Sequence, residues 1–347
     1  MNNNYFEISG RPIGEKFDPL VIAEIGINHG GDINLAKKFA DLAIGAGVDV
    51  VKHQTHIVED EMSQEANKEK IGYIGKSIYE LMDECSLSRD EEIELKRYVE
   101  SKGAIYLSTP FSRAAADFLN DINVPAYKIG SGECNNYPLI DHISDFKKPI
   151  ILSTGMNDYD SIKKSVEIIE SKGIPYALLH TTNIYPTAHN LVRLSLVSEM
   201  KDIFPNAVIG FSDHTTDNLM CFGAVALGAS ILERHFTDDM SRDGPDIENS
   251  MDPQAAKELV QGSKLIKSGM YGEKGPIKEE KDVINFAYAS VVSIAEINPG
   301  ETFSKSNIWV KRPGKGPFFA KDFEDIIGKT ASRHINADKH IEPEDIE

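Results

Sequence analysis

Eight short runs of β-branched and apolar residues recur at residues 20–28, 48–55, 104–111, 126–132, 149–156, 176–185, 207–214 and 229–236. Runs so continuously apolar suit parallel strands covered on both faces. The stretches between them carry helix punctuation. Residues 33–46 have helical spacing, and 77–82 read as a short helix. Ser88 is placed to cap a helix that reaches Lys102 and stops at Gly103, and a helix over 161–171 stops at Gly173. Eight strand–helix units within about 270 residues match a (β/α)8 TIM barrel in number and size. The competing fold is an open doubly wound sheet. It rarely sustains eight such units without a glycine-rich nucleotide turn, and the chain has neither G-x-G-x-x-G nor a P-loop.

Every run ends in polar residues. In order they are Glu24 and Asn28, Lys52 and Gln54, Ser108 and Thr109, then Lys128, Ser131 and Glu133. Ser153 and Thr154 follow, then His180, Thr182, Asn183 and Tyr185, then Ser212 and His214, then Glu233 and His235. In a barrel all of these are expected to converge on the C-terminal rim, where active sites form. A lysine within an apolar strand costs burial energy unless an anion or a carboxylate meets it. Lys52 and Lys128 therefore call for an anionic ligand, or else for buried ion pairs with Glu24 or Glu133. The hydroxyls and amides beside them suit phosphate and carboxylate oxygens. If the last two runs are neighbouring strands, His214 and His235 emerge side by side. With Glu233 and Asp246 nearby they make a site for a divalent metal. Taken singly, each is better explained as a satisfied histidine near a core, and it is the paired placement on two runs that end alike that favours the metal.

The net charge of −18, from 37 basic and 55 acidic residues, argues against nucleic acid and anionic membrane as partners. Cys85, Cys134 and Cys221 are too few and too scattered for a disulfide framework and read as reduced thiols. The N-terminus lacks the basic start and apolar core of a signal peptide, and no apolar run approaches a membrane span. A cytoplasmic location is expected.

The barrel is expected over residues 1–270, a Gly/Lys/Glu-rich linker over 271–285, and a small, mainly β unit over 286–347. The last contains a weak repeat. Ile297-Asn298 leads through a turn and Phe303 to Ile308, and Ile335-Asn336 leads through a turn and Ile341 to Ile346. About sixty residues is near the lower limit for independent folding, so this unit is expected to lean on something else. Lys311 to Gly316 form a basic turn that, on its own, reads as a solvated loop.

Several motifs resemble the bacterial sialic acid synthase family: Ala23-Glu24-Ile25-Gly26-Ile27-Asn28-His29, Val51-Lys52-His53-Gln54-Thr55, Ser108-Thr109-Pro110-Phe111, Tyr127-Lys128-Ile129-Gly130-Ser131-Gly132-Glu133, Ser212-Asp213-His214-Thr215 and Glu233-Arg234-His235-Phe236-Thr237. The tail, with Ile308-Trp309-Val310-Lys311-Arg312-Pro313-Gly314, is similar to that family's antifreeze-like (SAF) domain. Together the motifs span essentially the whole chain, in order. The resemblance implies N-acetylneuraminate synthase chemistry: phosphoenolpyruvate, N-acetylmannosamine and water condense with C–O cleavage and release of phosphate. It implies a divalent metal, Mn2+ or Mg2+, on His214 and His235. It also implies a domain-swapped homodimer.

By the same resemblance Lys52, Thr109, Lys128, Ser131, Ser153, Asn183 and Ser212 would cradle phosphoenolpyruvate. Glu24 and Glu233 would stand near the metal, and Glu133 would handle a proton. Gln54, Tyr185 and Asp246 would contact the sugar, with Phe286 and Arg312 arriving from the other subunit. Relatives often carry Asn near the position of Tyr73, which leaves open a legionaminic or pseudaminic acid synthase acting on a diacetamido hexose. A 6-phosphorylated sugar would need extra basic residues at the rim, and none is obvious. Two further readings are a Schiff-base aldolase using Lys52 or Lys128 and a non-catalytic carbohydrate- or ice-binding protein.

Overall fold

The computed structural model describes residues 4–68 and 76–347, so Tyr73 lies outside the described residues. The chain resolves into two compact units, Met1–Tyr271 and Gly272–Glu347. The first opens with an antiparallel hairpin, β1 (Tyr5–Ile8) and β2 (Arg11–Gly14), turned at Ser9 and Gly10. Both turn residues have positive φ, 50° and 78°, as a tight hairpin turn requires.

Eight strands follow: β3 (Leu20–Gly26), β4 (Val50–Thr55), β5 (Ile105–Pro110), β6 (Tyr127–Ile129), β7 (Ile150–Ser153), β8 (Tyr176–Thr181), β9 (Val208–Asp213) and β10 (Ile231–His235). They pair in the order β5-β4-β3-β10-β9-β8-β7-β6, all parallel, and β5 and β6 lie side by side at the closure of the ring. With helices between the strands, this is the TIM-type barrel expected. The strands are shorter than their apolar runs. The run expected to reach Tyr185 leaves the sheet after Thr181, and the Thr182 carbonyl accepts from His214 instead of continuing a ladder.

Strand alternation sorts the side chains into two cores. Val21, Ala23, Ile25, Val51, Leu232 and Phe236 face outward and pack with the helices. Leu20, Ile22, Val50, Leu107, Ala126, Ile151, Ala177, Leu179, Val208 and Ile231 face inward. These inward residues sit near the strand starts, and Phe6, Ile8 and Ile13 of the hairpin pack against them, sealing that end. Each such burial contributes about 1.5–3 kcal/mol.

Helix ends follow local chemistry. Ile33–Ala46 starts at Asp32, whose carboxylate accepts from Asn34 N at 2.8 Å, and ends at Gly47 with φ of 93°, a left-handed cap that suits glycine. Ser77 and Ser88 each form a capping box, with Glu80 and Glu91, ahead of helices Ile78–Cys85 and Arg89–Ser101. Tyr159–Ser171 begins two residues before the expected start because Asp158 caps it, its carboxylate accepting from Ser161 N at 2.9 Å.

The second unit pairs β11 (Ser290–Ser293) with β12 (Ile308–Lys311), antiparallel, over a core of Val291, Ile297, Phe303, Ile308, Phe323, Ile326, Ala331, Ile335 and Ile341. The sequence repeat is physical. Ile297 and Ile335, its first members, exchange backbone hydrogen bonds of 2.9 Å in both directions, and Phe303 and Ile341 are both buried. One expectation needs correction. The segment read as linker runs into a helix, Lys281–Ala287, and Phe286 lies on it rather than opening the β region. Lysine and glutamate favour helix as readily as loop, so composition alone misled.

Candidate active site

The inward series on each strand passes from apolar to polar along its length. On β3 it runs Leu20, Ile22, Glu24. On β4 it is Val50, Lys52, Gln54, and on β10 Ile231, Glu233, His235. At the polar end lies a cavity of about 600 Å3 of empty volume, part of it open to solvent. It is lined by Glu24, Lys52, Gln54, Thr109, Lys128, Ser131, Glu133, Ser153, Asn183, Tyr185, Ser212, His214, Glu233 and His235. These are fourteen of the residues singled out from sequence. Asp246 adjoins them, its Oδ2 3.6 Å from His235 Nδ1. Phe286 and Arg312 belong to the second unit, where both side chains are exposed.

Five of the expected rim residues serve elsewhere, among them Thr182, whose hydroxyl donates to Leu191 O at 3.4 Å. Ser108 faces outward, its hydroxyl 2.6 Å from Thr55 Oγ1. Thr154 donates to Leu179 O at 2.9 Å. His180 meets Val192 O at 2.7 Å. Asn28 lies past the end of β3 and ties down Phe236 O and Ser250. Alternation explains the outward-facing strand residues: neighbours of inward positions point away from the cavity.

The floor of the cavity is a buried charge network. Lys52 pairs with Glu24, reaches Glu233 Oε1 at 3.8 Å and donates to Thr109 Oγ1 at 3.1 Å. Lys128 donates to Ser153 Oγ at 2.8 Å and lies 3.6 Å from the same Glu233 oxygen. The buried-pair reading therefore holds, with Glu24 and Glu233 as partners rather than Glu133. Burial drags the Lys52 ammonium down, but Glu233 and Glu24 outweigh it and hold its pKa above the ordinary value. At Lys128 burial wins and the pKa falls. Burial raises Glu24 despite Lys52, whereas the two lysines overcome burial at Glu233 and lower it. Glu24 Oε2 is held by the Lys52 ammonium, whereas Glu233 Oε2 makes no hydrogen bond. A carboxylate oxygen buried without a donor is costly, and here it faces a space able to hold one.

On one side, Glu133 is pushed up to about 7, mainly by burial and then by the nearby Glu61 carboxylate. On another, Ser131 Oγ accepts from Gly155 N at 3.1 Å. A Cβ on Gly155 would fall 1.8 Å from Asn183 Oδ1 and 3.0 Å from Ser131 Oγ. Gly155 thus lets the backbone close in on two polar side chains. It was given no role from sequence, nor were Phe111, Gly130, Gly132 and Thr181, which line the cavity itself.

The imidazoles of His214 and His235 stand with ring centroids 5.5 Å apart. Both are neutral at pH 7. Burial, then its neighbour His235, lowers His214 to about 4, and burial, then Lys52, lowers His235 to about 3. His214 Nδ1 donates to Thr182 O at 2.8 Å, which leaves the Nε2 lone pair free. His235 Nδ1 is buried with no hydrogen-bond partner. Among the described residues no group of three or more His, Cys, Asp or Glu is placed to hold a metal. The donor set on offer is thus two lone-pair nitrogens, and any remaining positions fall to solvent or substrate. Just outward of the cavity, Arg234 is almost fully buried and ties Asn218 Oδ1 (2.7 Å) and Thr215 O (2.6 Å) together. It fixes the segments that carry both histidines.

Comparison with known proteins agrees. The NeuB family profile matches residues 39–274, and that of the SAF domain matches 288–347. An uncharacterized protein of Methanocaldococcus jannaschii is 39% identical, over 89% of this chain and 89% of its own length. The N,N'-diacetyllegionaminic acid synthase of Campylobacter jejuni is 36% identical, over 93% and 98%. A crystal structure of N-acetylneuraminic acid synthetase from Leptospira borgpetersenii superposes with a TM-score of 0.74 at 29% identity, covering 81% of this chain and 95% of that one. Barrel, cavity and tail together place the chain in the NeuB family, with a C-terminal SAF domain.

Proposed function

We propose that the protein is a phosphoenolpyruvate-dependent N-acetylneuraminate synthase, joining phosphoenolpyruvate, N-acetylmannosamine and water with release of phosphate. The observation that carries this reading is the pairing of two buried lysines with a neutral histidine pair in one cavity. An anion with both a carboxylate and a phosphate suits Lys52 and Lys128, with Thr109, Ser131, Ser153, Asn183 and Ser212 as neighbouring donors. The high pKa of Lys52 keeps it an ammonium, which suits an anion and speaks against its use in a Schiff base.

The histidine pair fits a divalent cation, Mn2+ or Mg2+, because both rings are uncharged and each offers a free nitrogen. When bound, such a cation would supply Lewis acidity toward the sugar's aldehyde oxygen. The protein's own part is to hold carbon 3 of phosphoenolpyruvate against the aldehyde carbon. As that bond forms, carbon 2 becomes electron-poor. Water adds there, and phosphate leaves by C–O cleavage. Glu24 and Glu233 lie beside the lysines and stabilise positive charge. Glu133, titrating near 7, can give or take a proton at the new centre. Gln54, Tyr185 and Asp246 face the sugar. In a domain-swapped homodimer, Phe286 and Arg312 of the partner subunit would close over the N-acyl group.

The sugar has a second reading. The Campylobacter relative is named for a diacetamido product, and a 2,4-diacetamido hexose would use the same machinery. A phosphate-release assay decides. Phosphoenolpyruvate is incubated with N-acetylmannosamine or with diacetamido hexoses, with and without EDTA. Release with N-acetylmannosamine that EDTA abolishes supports the proposal. Release only with a diacetamido sugar moves it to the second reading, and binding without release with any sugar overturns both. Light scattering at micromolar protein tests the dimer.

A further inference from the structure

Behind Gln54 stands a residue that no part of the reaction yet uses. His56 follows β4 and is buried, its ring stacked on Phe111 with centroids 4.5 Å apart and planes 10° from parallel. Its Nδ1 lies 2.8 Å from Glu61 Oε2 and its Nε2 lies 3.2 Å from Gln54 Oε1. Gln54 in turn donates from Nε2 to Glu24 Oε1 at 2.7 Å. Gly26, at φ of 47°, leaves room for this amide, since a Cβ there would come within 3.2 Å of both Gln54 Nε2 and Glu24 Oε1.

Proton counting fixes the direction of the chain. Gln54 gives an N–H to Glu24, so its carbonyl oxygen is the end that meets His56. An oxygen acceptor requires the His56 Nε2 to carry hydrogen. Glu61 Oε2 at the opposite nitrogen is an acceptor too, so this arrangement places hydrogen on both ring nitrogens, and the Nδ1–H to Glu61 holds the ring in place. A flipped amide would set two N–H-bearing groups against each other at His56 and two oxygens against each other at Glu24.

We infer that His56, clamped between Glu61 and Phe111, is a positioning residue that fixes which end of the Gln54 amide faces Glu24 and the cavity. Gln54 has two amide hydrogens and Glu24 takes one. The other is available toward the cavity that Gln54 lines. Gln54 therefore offers the sugar a donor, and the group it selects is an acceptor: a hydroxyl or N-acyl oxygen. This rests on the reading of Gln54 as a sugar contact.

The test uses the full-length protein. His56→Phe keeps the stack on Phe111 and removes both ring N–H groups. It is expected to raise KM for the acylated sugar at least fivefold and to leave KM for phosphoenolpyruvate within twofold. Glu61→Leu should shift the sugar KM in the same direction, and Glu61→Gln, which keeps an oxygen for Nδ1, should restore it. In a Gln54→Ala background, His56→Phe should add nothing. With glutamine-selective 15N labelling, the Gln54 side-chain amide should exchange slowly with solvent in the wild type and fast in His56→Phe. That readout needs no turnover. An inactive wild type would sink the proposed function while the amide still tests the positioning. Equal rises in both KM values, or slow Gln54 exchange that survives His56→Phe, would overturn the inference.

Discussion

The two ends of the barrel are made from the same eight strands and could hardly differ more. At the strand starts Leu20, Val50, Ile151, Val208 and Ile231 meet the hairpin residues Phe6, Ile8 and Ile13, with no charge among them. A few residues along the same strands lie Glu24, Lys52, Lys128 and Glu233, all buried, and Glu233 keeps one oxygen without a donor. Burying charge in this way is at best neutral for stability, whereas burying the aliphatic end is strongly favourable. One end holds the barrel closed. The other spends part of that stability on a preorganised polar site.

The sharpest way to break this contrast is to remove a histidine from the polar end. His214→Ala or His235→Ala should lower turnover by roughly 10^3-fold, the scale of several kcal/mol of lost electrophilic assistance. Binding of phosphoenolpyruvate, measured by calorimetry, should persist through the lysines, and Tm should not fall. Near-normal turnover in both variants would end the metal assignment. The opposite end should behave in the opposite way. Ile13→Ala opens a cavity in the apolar seal and should cost about 2–5 kcal/mol in urea unfolding, while kcat/KM of the folded fraction stays unchanged. A loss of activity out of proportion to the loss of folded protein would show the two ends to be coupled.

How much of this contrast was legible in the sequence depends on which interactions are local. The strands were, because a parallel strand covered on both faces is written as an unbroken apolar run, and the lysines within β4 and β6 were conspicuous for interrupting one. Which polar residues turn inward was only partly read. Ser108, Thr154 and His180 sit next to inward positions in the chain, and one residue of phase sends them outward. The ion-pair partners of Lys52 and Lys128 depend on strand register, which sets Glu24 beside Lys52, and a reading of runs does not supply register. His56, Gln54 and Glu61 are close in sequence, but their roles appear only once ring and amide directions are known. Phe286 and Arg312 were named through family resemblance, and the helix at Lys281–Ala287 was hidden in a composition that suits a linker equally well.

Gly155 illustrates the same limit and yields a smaller test. Its closeness to Asn183 joins residues from two different strand ends. Gly155→Ala should push the Asn183 amide and Ser131 hydroxyl out of place. A fall in kcat/KM for phosphoenolpyruvate of about 10- to 100-fold is expected, as for a catalytic group displaced by an ångström, with a Tm change of only a few degrees. An alanine variant of full activity would mean that Asn183 has room to move, and that the polar end is less rigid than its hydrogen bonds imply.

The smallest effect tests the cost of the polar end directly. Glu133 titrates at about 7 in the folded protein, against an ordinary value of 4.5, because burial and Glu61 disfavour its charge. Below pH 4.5 the group is protonated whether the chain is folded or not, and it costs nothing. As pH rises from 4.5 to 7, the unfolded chain releases this proton more readily than the folded one, so stability falls, and above 7 the penalty is complete. Glu133→Gln removes the charge and should stabilise the protein at pH 8 by about 1 kcal/mol, a value reduced for the partial exposure of the side chain. At pH 4.5 the same variant should match the wild type in urea unfolding, while its activity is lower at both pH values. A loss of stability at pH 8 instead would mean that Glu133 is stabilised as a carboxylate, and the polar end would then carry its charges more cheaply than the network of lysines and glutamates implies.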